Sequence, residues 1–457
     1  MNSIAHGPGR APFWALATLL ALAACSDGGG ITSPQPLPVP AEPLASISCA
    51  ASVSDGRVQC GQAQSGVRAD RIIGGQRVNV LVQTTNVAYD SITGKFGFDL
   101  TVQNLLVQRM GSDGTNVTGI KVFFASGPHT TSGTGVASVG NPDGLDAFTG
   151  SFQPYFYYPG GLASGATTPS KRWELDVPKS VKTFSFTLYI STPLVPVIVF
   201  EMWPGNDHDV YRMGIDGNDL LKLSTSAMTD GSPTVAAGKV VFTSYRDGNA
   251  ELYSVPLTGG AETRLTTSTG LQETSPALSP DGTKLAWVSG ASGGLTKVWS
   301  GSATATGGAQ AVPGLADAIQ SSPNWKNSTT LAFTMAAASS ADVWQVVPGS
   351  APTLLAGGGT AEVEPAWSPD GSKVVFASNR TGDTELYLLD VGTSVTTRLT
   401  TRTGSDGAPT WLADGRIVFT CIQGIQFRLC LVDPANPGTI TILSTPNQAE
   451  HASAVRY

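Results

Sequence analysis

From residue 197 to the end of the chain the sequence repeats itself, and a repeat of this length constrains the fold more than any other feature. An apolar strand ending in an aromatic recurs at Phe200, Phe242, Trp287, Phe333, Phe376 and Phe419, at spacings of 42, 45, 46, 43 and 43 residues. A second strand follows each, centred on Tyr211, Tyr253, Trp299, Trp344, Tyr387 and Leu429. From the second repeat on, a proline precedes the aromatic strand, at Pro233, Pro276, Pro323, Pro365 and Pro409. Some repeats close on Arg-Leu-Thr, as at Arg264-Leu265-Thr266 and Arg398-Leu399-Thr400. A unit holding four short strands in this span has the size of one propeller blade, and six units predict six blades.

The first repeat has its aromatic strand but no proline strand before it. The last residues, Glu450 to Val455, align with Glu273 to Leu278. The C-terminus is therefore expected to supply the missing inner strand of the first blade, which closes the ring and removes two exposed sheet edges.

The segments Pro276-Ala277-Leu278-Ser279-Pro280-Asp281-Gly282 and Pro365-Ala366-Trp367-Ser368-Pro369-Asp370-Gly371, each followed by an apolar-aromatic strand, resemble the TolB-like propeller repeat. Loops such as Ser378-Asn379-Arg380-Thr381-Gly382-Asp383 and Ser244-Tyr245-Arg246-Asp247-Gly248-Asn249 match it as well. The turn is degenerate at Leu412-Ala413-Asp414-Gly415, and the fourth repeat has Lys326-Asn327-Ser328 in its place. The resemblance implies a fold rather than an activity. Propellers of this kind serve as protein-binding modules, as accessory domains of prolyl oligopeptidase-like hydrolases and in some lyases.

Ahead of the repeats, residues 46–192 carry period-two alternation broken by Gly, Asn, Asp and Ser turns. It is clearest in Phe96-Gly97-Phe98-Asp99-Leu100-Thr101-Val102 and Phe184-Ser185-Phe186-Thr187-Leu188-Tyr189-Ile190. That pattern predicts an antiparallel β-sandwich, with an immunoglobulin-like arrangement as one form. TolB itself has an α/β domain at this position, so its own partners do not transfer. In the aromatic run Tyr155-Phe156-Tyr157-Tyr158, alternation assigns half the side chains to the core. The expected fold class is thus all-β throughout, and at 13% charged residues with 53 glycines the composition suits turn-rich strands.

The first 24 residues read as a secretory signal: Arg10 ends a weakly charged start, and Ala15 to Leu22 form an apolar run too short to span a bilayer as a mature helix. Leu22-Ala23-Ala24-Cys25 resembles the bacterial lipobox, which implies that the Cys25 thiol is lipidated and becomes the new N-terminus. Each buried methylene contributes about 0.8 kcal/mol, so several acyl chains hold firmly where one does not. Ser26 after the cysteine implies sorting to the outer membrane, on its periplasmic or surface side. Pro34, Pro36, Pro38, Pro40 and Pro43 make residues 25–45 an extended spacer. The expected organisation is a signal over 1–24, a linker over 25–45, a sandwich over 46–192 and a propeller over 193–457.

Five cysteines are an odd number for an exported chain, but lipidation of Cys25 leaves four. Cys49 and Cys60 flank a turn containing Asp55-Gly56, and Cys421 and Cys430 lie on successive strands. Each pair is expected to form a hairpin disulfide, contributing roughly 2–3 kcal/mol by the chain-entropy model.

Chemistry is sparse. The formal charge of −7 without a basic cluster excludes a nucleic-acid track and an electrostatic membrane patch. No Gly-x-Ser-x-Gly elbow occurs, and no domain remains to house a hydrolase triad. After signal removal the histidines are His129, His208 and His451. Asp207-His208-Asp209 reads as a solvated turn.

One constellation stands out. Three residues before each repeat's proline, or before Ser453 in the last, stand Asp230, Glu273, Gln320, Glu362, Asp406 and Glu450. At the starts of inner strands these side chains are expected to ring one mouth of the channel. Crowded carboxylates raise one another's pKa unless a cation compensates. They either hydrogen-bond neighbouring groups and close the ring, or collect a divalent cation such as calcium, or a partner's basic side chain. The leading functional reading is an envelope-anchored lipoprotein whose propeller binds or scaffolds a protein or glycan. The alternatives are a propeller enzyme of the polysaccharide lyase kind, or a surface adhesin.

Overall fold

The computed structural model describes residues 46–61, 67–68, 72–73, 79–304, 309–312, 318–336 and 340–455. Every helix or strand among them is a strand. The segment 1–45, with Cys25, its leader and its linker, lies outside the described residues.

The N-terminal strands form an eight-stranded and a four-stranded sheet that share one core. In the first, Ile47–Ser52, Val181–Ser191, Ile120–Gly133 and Gln153–Tyr158 lie side by side; the second is built on Val80–Asp90, Lys95–Asn104 and Lys171–Asp176. Alternation sends Phe96, Phe98, Phe184 and Phe186 inward, where Phe96 meets Phe184 edge-on at 5.2 Å. The aromatic run divides the same way. Phe156 stacks on Trp173 at 4.0 Å in the core, while Tyr155 lies against Phe123 on the other face. Cys49 and Cys60 stand directly opposite each other in their hairpin and are disulfide-bonded.

Six four-stranded antiparallel sheets follow. Their aromatics Phe200, Phe242, Phe333, Phe376 and Phe419 are fully buried, and Trp287 nearly so. In the first five sheets each faces the aromatic of the next strand, for instance Phe242 opposite Tyr253 and Phe376 opposite Tyr387. In the sixth sheet Phe419 faces Cys430, one residue beyond the Leu429 that the spacing marks. The Cys421–Cys430 disulfide closes that hairpin.

The repeat markers have local causes. In the Ser-Pro-Asp-Gly turns, Ser279 Oγ donates to Asp281 (2.5 Å) and accepts from Lys284 N (2.9 Å), and Ser368 repeats this with Asp370 and Lys373. Gly282 and Gly371 take φ near +69° and +68°, a left-handed conformation that glycine adopts without steric cost. In Arg-Leu-Thr, Arg264 pairs with the buried Glu251 at 3.1 Å while Thr266 Oγ1 accepts from Leu252 N at 2.8 Å. Arg398, Glu385 and Thr400 reproduce the set.

The first strands of successive sheets touch one another in sequence. They run from Asp230–Ala236 through Gln272–Leu278, Gln320–Trp325, Glu362–Trp367 and Asp406–Trp411 to the C-terminal Ala449–Ala454, which touches Asp230–Ala236 again. That last strand pairs antiparallel with Val197–Met202 and completes the first sheet. Indole hydrogen bonds stitch neighbouring sheets: Trp325 Nε1 donates to Ala277 O at 3.1 Å, and Trp411 Nε1 to Ala366 O at 3.0 Å.

The N-terminal sheets meet the repeats through the segment 105–119. Arg416 donates to Asp113 O at 2.9 Å, and Arg109 pairs with Asp219 at 3.4 Å. Both contacts use turns at the end of the repeat sheets opposite to the starts of the inner strands.

Candidate functional site

Asp230, Gln320, Glu362 and Asp406 open their inner strands and Glu273 stands second in its own; all five are buried. Each has a partner close by, although Glu362 Oε2 and Asp406 Oδ2 are left without one. Asp230 meets Arg246 at 3.3 Å, Glu362 meets Arg380 at 3.0 Å and Asp406 meets Arg402 at 2.9 Å. Glu273 accepts from Trp287 Nε1 and Ser268 Oγ, both at 2.5 Å, and Gln320 Oε1 accepts from Val298 N at 2.8 Å. Burial pushes the Asp406 carboxyl up to about 6 in spite of Arg402. Asp230, Glu273 and Glu362 thus bond within their own sheets, and Gln320 ties its strand to Val298 of the preceding sheet.

Glu450 is the exception, and its alignment needs correcting by one residue. In the second sheet Asp230 faces Ser244 and Gly231 faces Thr243; in the first, Ala449 faces Met202 and Glu450 faces Glu201. Ala449 therefore holds the position of the five others, and Glu450 the next one. A one-residue slip turns a side chain to the other face of its strand. Backbone conformation marks the same register. Ser232, Ser275, Ser322, Glu364, Ala408 and His451 all take φ between 45° and 56°. Each sits at the bulge of its inner strand, immediately before the proline or, in the first sheet, before Ala452. Such strain costs of order 1 kcal/mol or more and persists where surroundings over-determine it.

The first sheet thus carries three charged or ionisable side chains at positions that are mostly small in its sisters. Where Glu201 faces Glu450, the second sheet has Thr243 with Gly231, the third Val288 with Thr274, and the sixth Thr420 with Gly407. Glu201 is only 5% exposed. Its Oε1 lies 2.7 Å from His451 Nδ1 and 3.7 Å from His208 Nδ1, and its Oε2 accepts from Ser232 N of the second sheet at 2.7 Å. Gly231 makes room, since a Cβ there would overlap Oε2. Glu450 stands 4.0 Å from His451. Among the described residues neither glutamate pairs with Lys or Arg.

The electrostatics follow from this enclosure. Burial opposes ionisation of Glu201, but the nearby imidazole of His208, the hydrogen bond and charge of His451 and the hydrogen bond from Ser232 N outweigh it, so the carboxyl is held far down. Burial and the facing Glu201 push Glu450 up to about 7. For His451, burial works against the proton, while the hydrogen bond and charge of Glu201, with Glu450 and Glu364 beyond, raise it to about 9. Glu201 is thus the carboxyl that stays ionised, Glu450 the one inclined to keep its proton, and His451 the group that favours the imidazolium form.

Aromatics frame the cluster. Trp203 meets His208 edge-on at 4.6 Å and Phe427 at 5.0 Å, and Ile425 beside them is 89% exposed. Of the expected solvated turn Asp207-His208-Asp209, Asp207 is exposed, while His208 is only partly so and turns against Trp203. Asp209 departs from it: it is buried against Lys222 at 2.7 Å, the counterpart of Glu251 with Arg264. Spacing hides Glu201 and this meeting of His208 with His451, because 243 residues separate the two imidazoles along the chain.

The family model for the TolB β-propeller domain matches residues 314–453. The C-terminal sheets are a TolB-like propeller. Over 181 residues the chain is 33% identical to a TolB homologue of Chlorobium luteolum, covering 39% of each protein. A second homologue, from Chlorobium chlorochromatii, is 30% identical over 151 residues and 33% of each. The chain thus spans well under half the length of the curated relatives it matches. Among solved structures, TolB from Acinetobacter baumannii superimposes with a TM-score of 0.51 at 16% identity, over 57% of this chain and 67% of that one. At that identity the likeness is one of fold. The Glu201–Glu450–His451 cluster lies in the propeller sheet that joins the two ends of the repeat array.

Proposed function

We propose that the chain is an exported envelope protein whose TolB-like propeller binds a protein partner with the end that carries Glu201, Glu450 and His451. In this reading residues 1–24 direct export, a lipidated Cys25 and the linker 25–45 tether the chain to the outer membrane, the sandwich occupies 46–192, and the sheets of 193–457 close as six blades. The observation that carries it is the division of labour between the two propeller ends. The N-terminal sheets contact the turns of Asp219 and Arg416, while Trp203, Phe427 and the exposed Ile425 gather at the other. Aromatic anchors beside desolvated charge are the residue types that dominate binding energy at protein interfaces. The TolB homologues add support for a protein-interaction role at the envelope.

A photo-cross-linking residue at Phe427, with a control at Thr397 on an outer strand, tests the face. The expected result is a discrete adduct from Phe427 alone, lost on Trp203→Ala; equal labelling from both positions overturns the reading. For the tether, wild type is expected to enter the detergent phase on partitioning and Cys25→Ala the aqueous phase. Retention of Cys25→Ala in detergent refutes lipidation.

A further inference from the structure

The cross-strand pair Glu201 and Glu450 sets two carboxylates face to face in a propeller whose sister positions carry small or apolar side chains. Elsewhere this propeller compensates a buried acid with a guanidinium, as Arg246 does for Asp230 and Arg380 for Glu362. The strand bearing Glu201 reaches Pro204 at the position of those arginines, so no guanidinium comes from there. What stands beside the pair is His451, an imidazole in a left-handed bulge, with one donor atom each from Glu201, Glu450 and His451 all within 4.8 Å of one another.

We propose that Glu201, Glu450 and His451 form a binding site for a divalent transition-metal ion of the zinc kind. The donor set decides the class. Two carboxylates and an imidazole, without thiolate, suit zinc and its first-row neighbours, whereas calcium takes oxygen ligands. Ligands around zinc lie at about 2.0–2.2 Å and so roughly 3–4 Å from one another, which a side-chain rotation within the cluster reaches from the present spacing. Glu201 is held by Ser232 N and His451 N by Thr420 Oγ1 of the neighbouring sheet, so two ligands are anchored from outside their own strand pair. A site that takes Glu201 from one end of the repeat array and Glu450 with His451 from the other ties the chain ends together through the ion.

The test is calorimetric titration of the full chain, freed of metal by chelator and desalted, with Zn²⁺ and separately with Ca²⁺. The expected result is single-site Zn²⁺ binding, weakened roughly tenfold or more by Glu450→Gln and by His451→Gln. Asp406→Asn, in a sheet closed by its own arginine, should bind as wild type does. Glu450→Gln keeps a hydrogen-bonding partner for Glu201 and removes a like charge, so this variant folds; an unshifted melting curve in chelator verifies that. Cys25 is present in every variant, and its contribution cancels in the comparison. Visible absorption with Co²⁺ in place of Zn²⁺ gives a second readout, expected in wild type and lost in His451→Gln. Zn²⁺ binding that Glu450→Gln leaves unchanged overturns the proposal, as does Ca²⁺ binding equal to Zn²⁺ and insensitive to His451→Gln. Neither result bears on the cross-linking test of the partner face.

Discussion

Ending the chain at Gln448 removes the strand Ala449–Ala454 and tests whether the propeller depends on it. The loss can be estimated from what that strand buries. Ala449, Ala452 and Ala454 each withdraw a methyl from water and Val455 its whole side chain. At about 0.8 kcal/mol per methyl and roughly 1.5–2 for valine, this is about 4 kcal/mol. Hydrogen bonds along the ladder to Ile198 and Val199, with Val455 N to Val197 O at 3.0 Å, add about 1 kcal/mol each. The sum, roughly 6–8 kcal/mol, is comparable with the whole stability of a domain, about 5–15 kcal/mol. Ile198 and Phe200, fully buried now, become an open sheet edge as well. The N-terminal sheets have their own core and should melt as before. Thermal unfolding followed by tryptophan fluorescence and far-UV circular dichroism should therefore lose the propeller transition and keep the other. Adding a peptide spanning 445–457 should restore it in part, and Glu450→Gln with His451→Gln in the full-length chain separates lost charge from lost strand. A truncated protein that melts at the parent temperature would refute the reasoning.

Three further outcomes are expected. In chelator the propeller Tm should fall as pH rises from about 6.5 to 9: His451, raised to about 9, gives its full contribution below its ordinary 6.5, and Glu450, raised to about 7, loses its own between 4.5 and 7. Glu201, held down, acts in the other direction and loses its contribution only as pH falls below 4.5, so the optimum lies near pH 4.5; a His451→Gln protein with the same alkaline slope would disprove this. Arg380→Met leaves the buried Glu362 without its cation and should cost about 2–3 kcal/mol in denaturant titration, with much of it recovered by adding Glu362→Gln. Trp411→Phe keeps an aromatic ring but removes the indole N–H that Ala366 O accepts from, and should cost at least about 1–2 kcal/mol.

Much of the repeat architecture is legible because each mark has one physical cause that recurs. A buried aromatic pair, a proline at a bulge and an Asp-Gly turn each fix a position, and together they give strand order. Legibility fails where a repeat lacks its mark. In the sixth repeat no aromatic stands at the position facing Phe419, and Leu429 and Cys430 offer two apolar candidates one residue apart. The structure takes Cys430. At the C-terminus no proline anchors the alignment, so an acid was matched to acids and the strand slipped by one. The bulge would have set it right: His451, not Ala452, holds the left-handed turn that Ser232 holds in the second sheet.

The same slip explains why the candidate site was half visible. The acids at the strand starts are regular because each serves its own sheet. Asp230, Glu362 and Asp406 find arginine within four to eighteen residues along the chain, at Arg246, Arg380 and Arg402. Regularity of that kind marks structure. Glu201, Glu450 and His451 break the repeat instead, at the one sheet whose two inner strands come from opposite ends of the array. A repeat unit copied around a ring is held to the same residues by the same packing, whereas the joining sheet is assembled from two different sequence contexts. Glutamate where sisters carry threonine or valine, and glutamate again where they carry glycine or threonine, could not be tolerated in all six sheets without twelve buried carboxylates. Confined to one, the pair is offset by the imidazole of His451, and it concentrates charge at the seam where the two ends of the array meet.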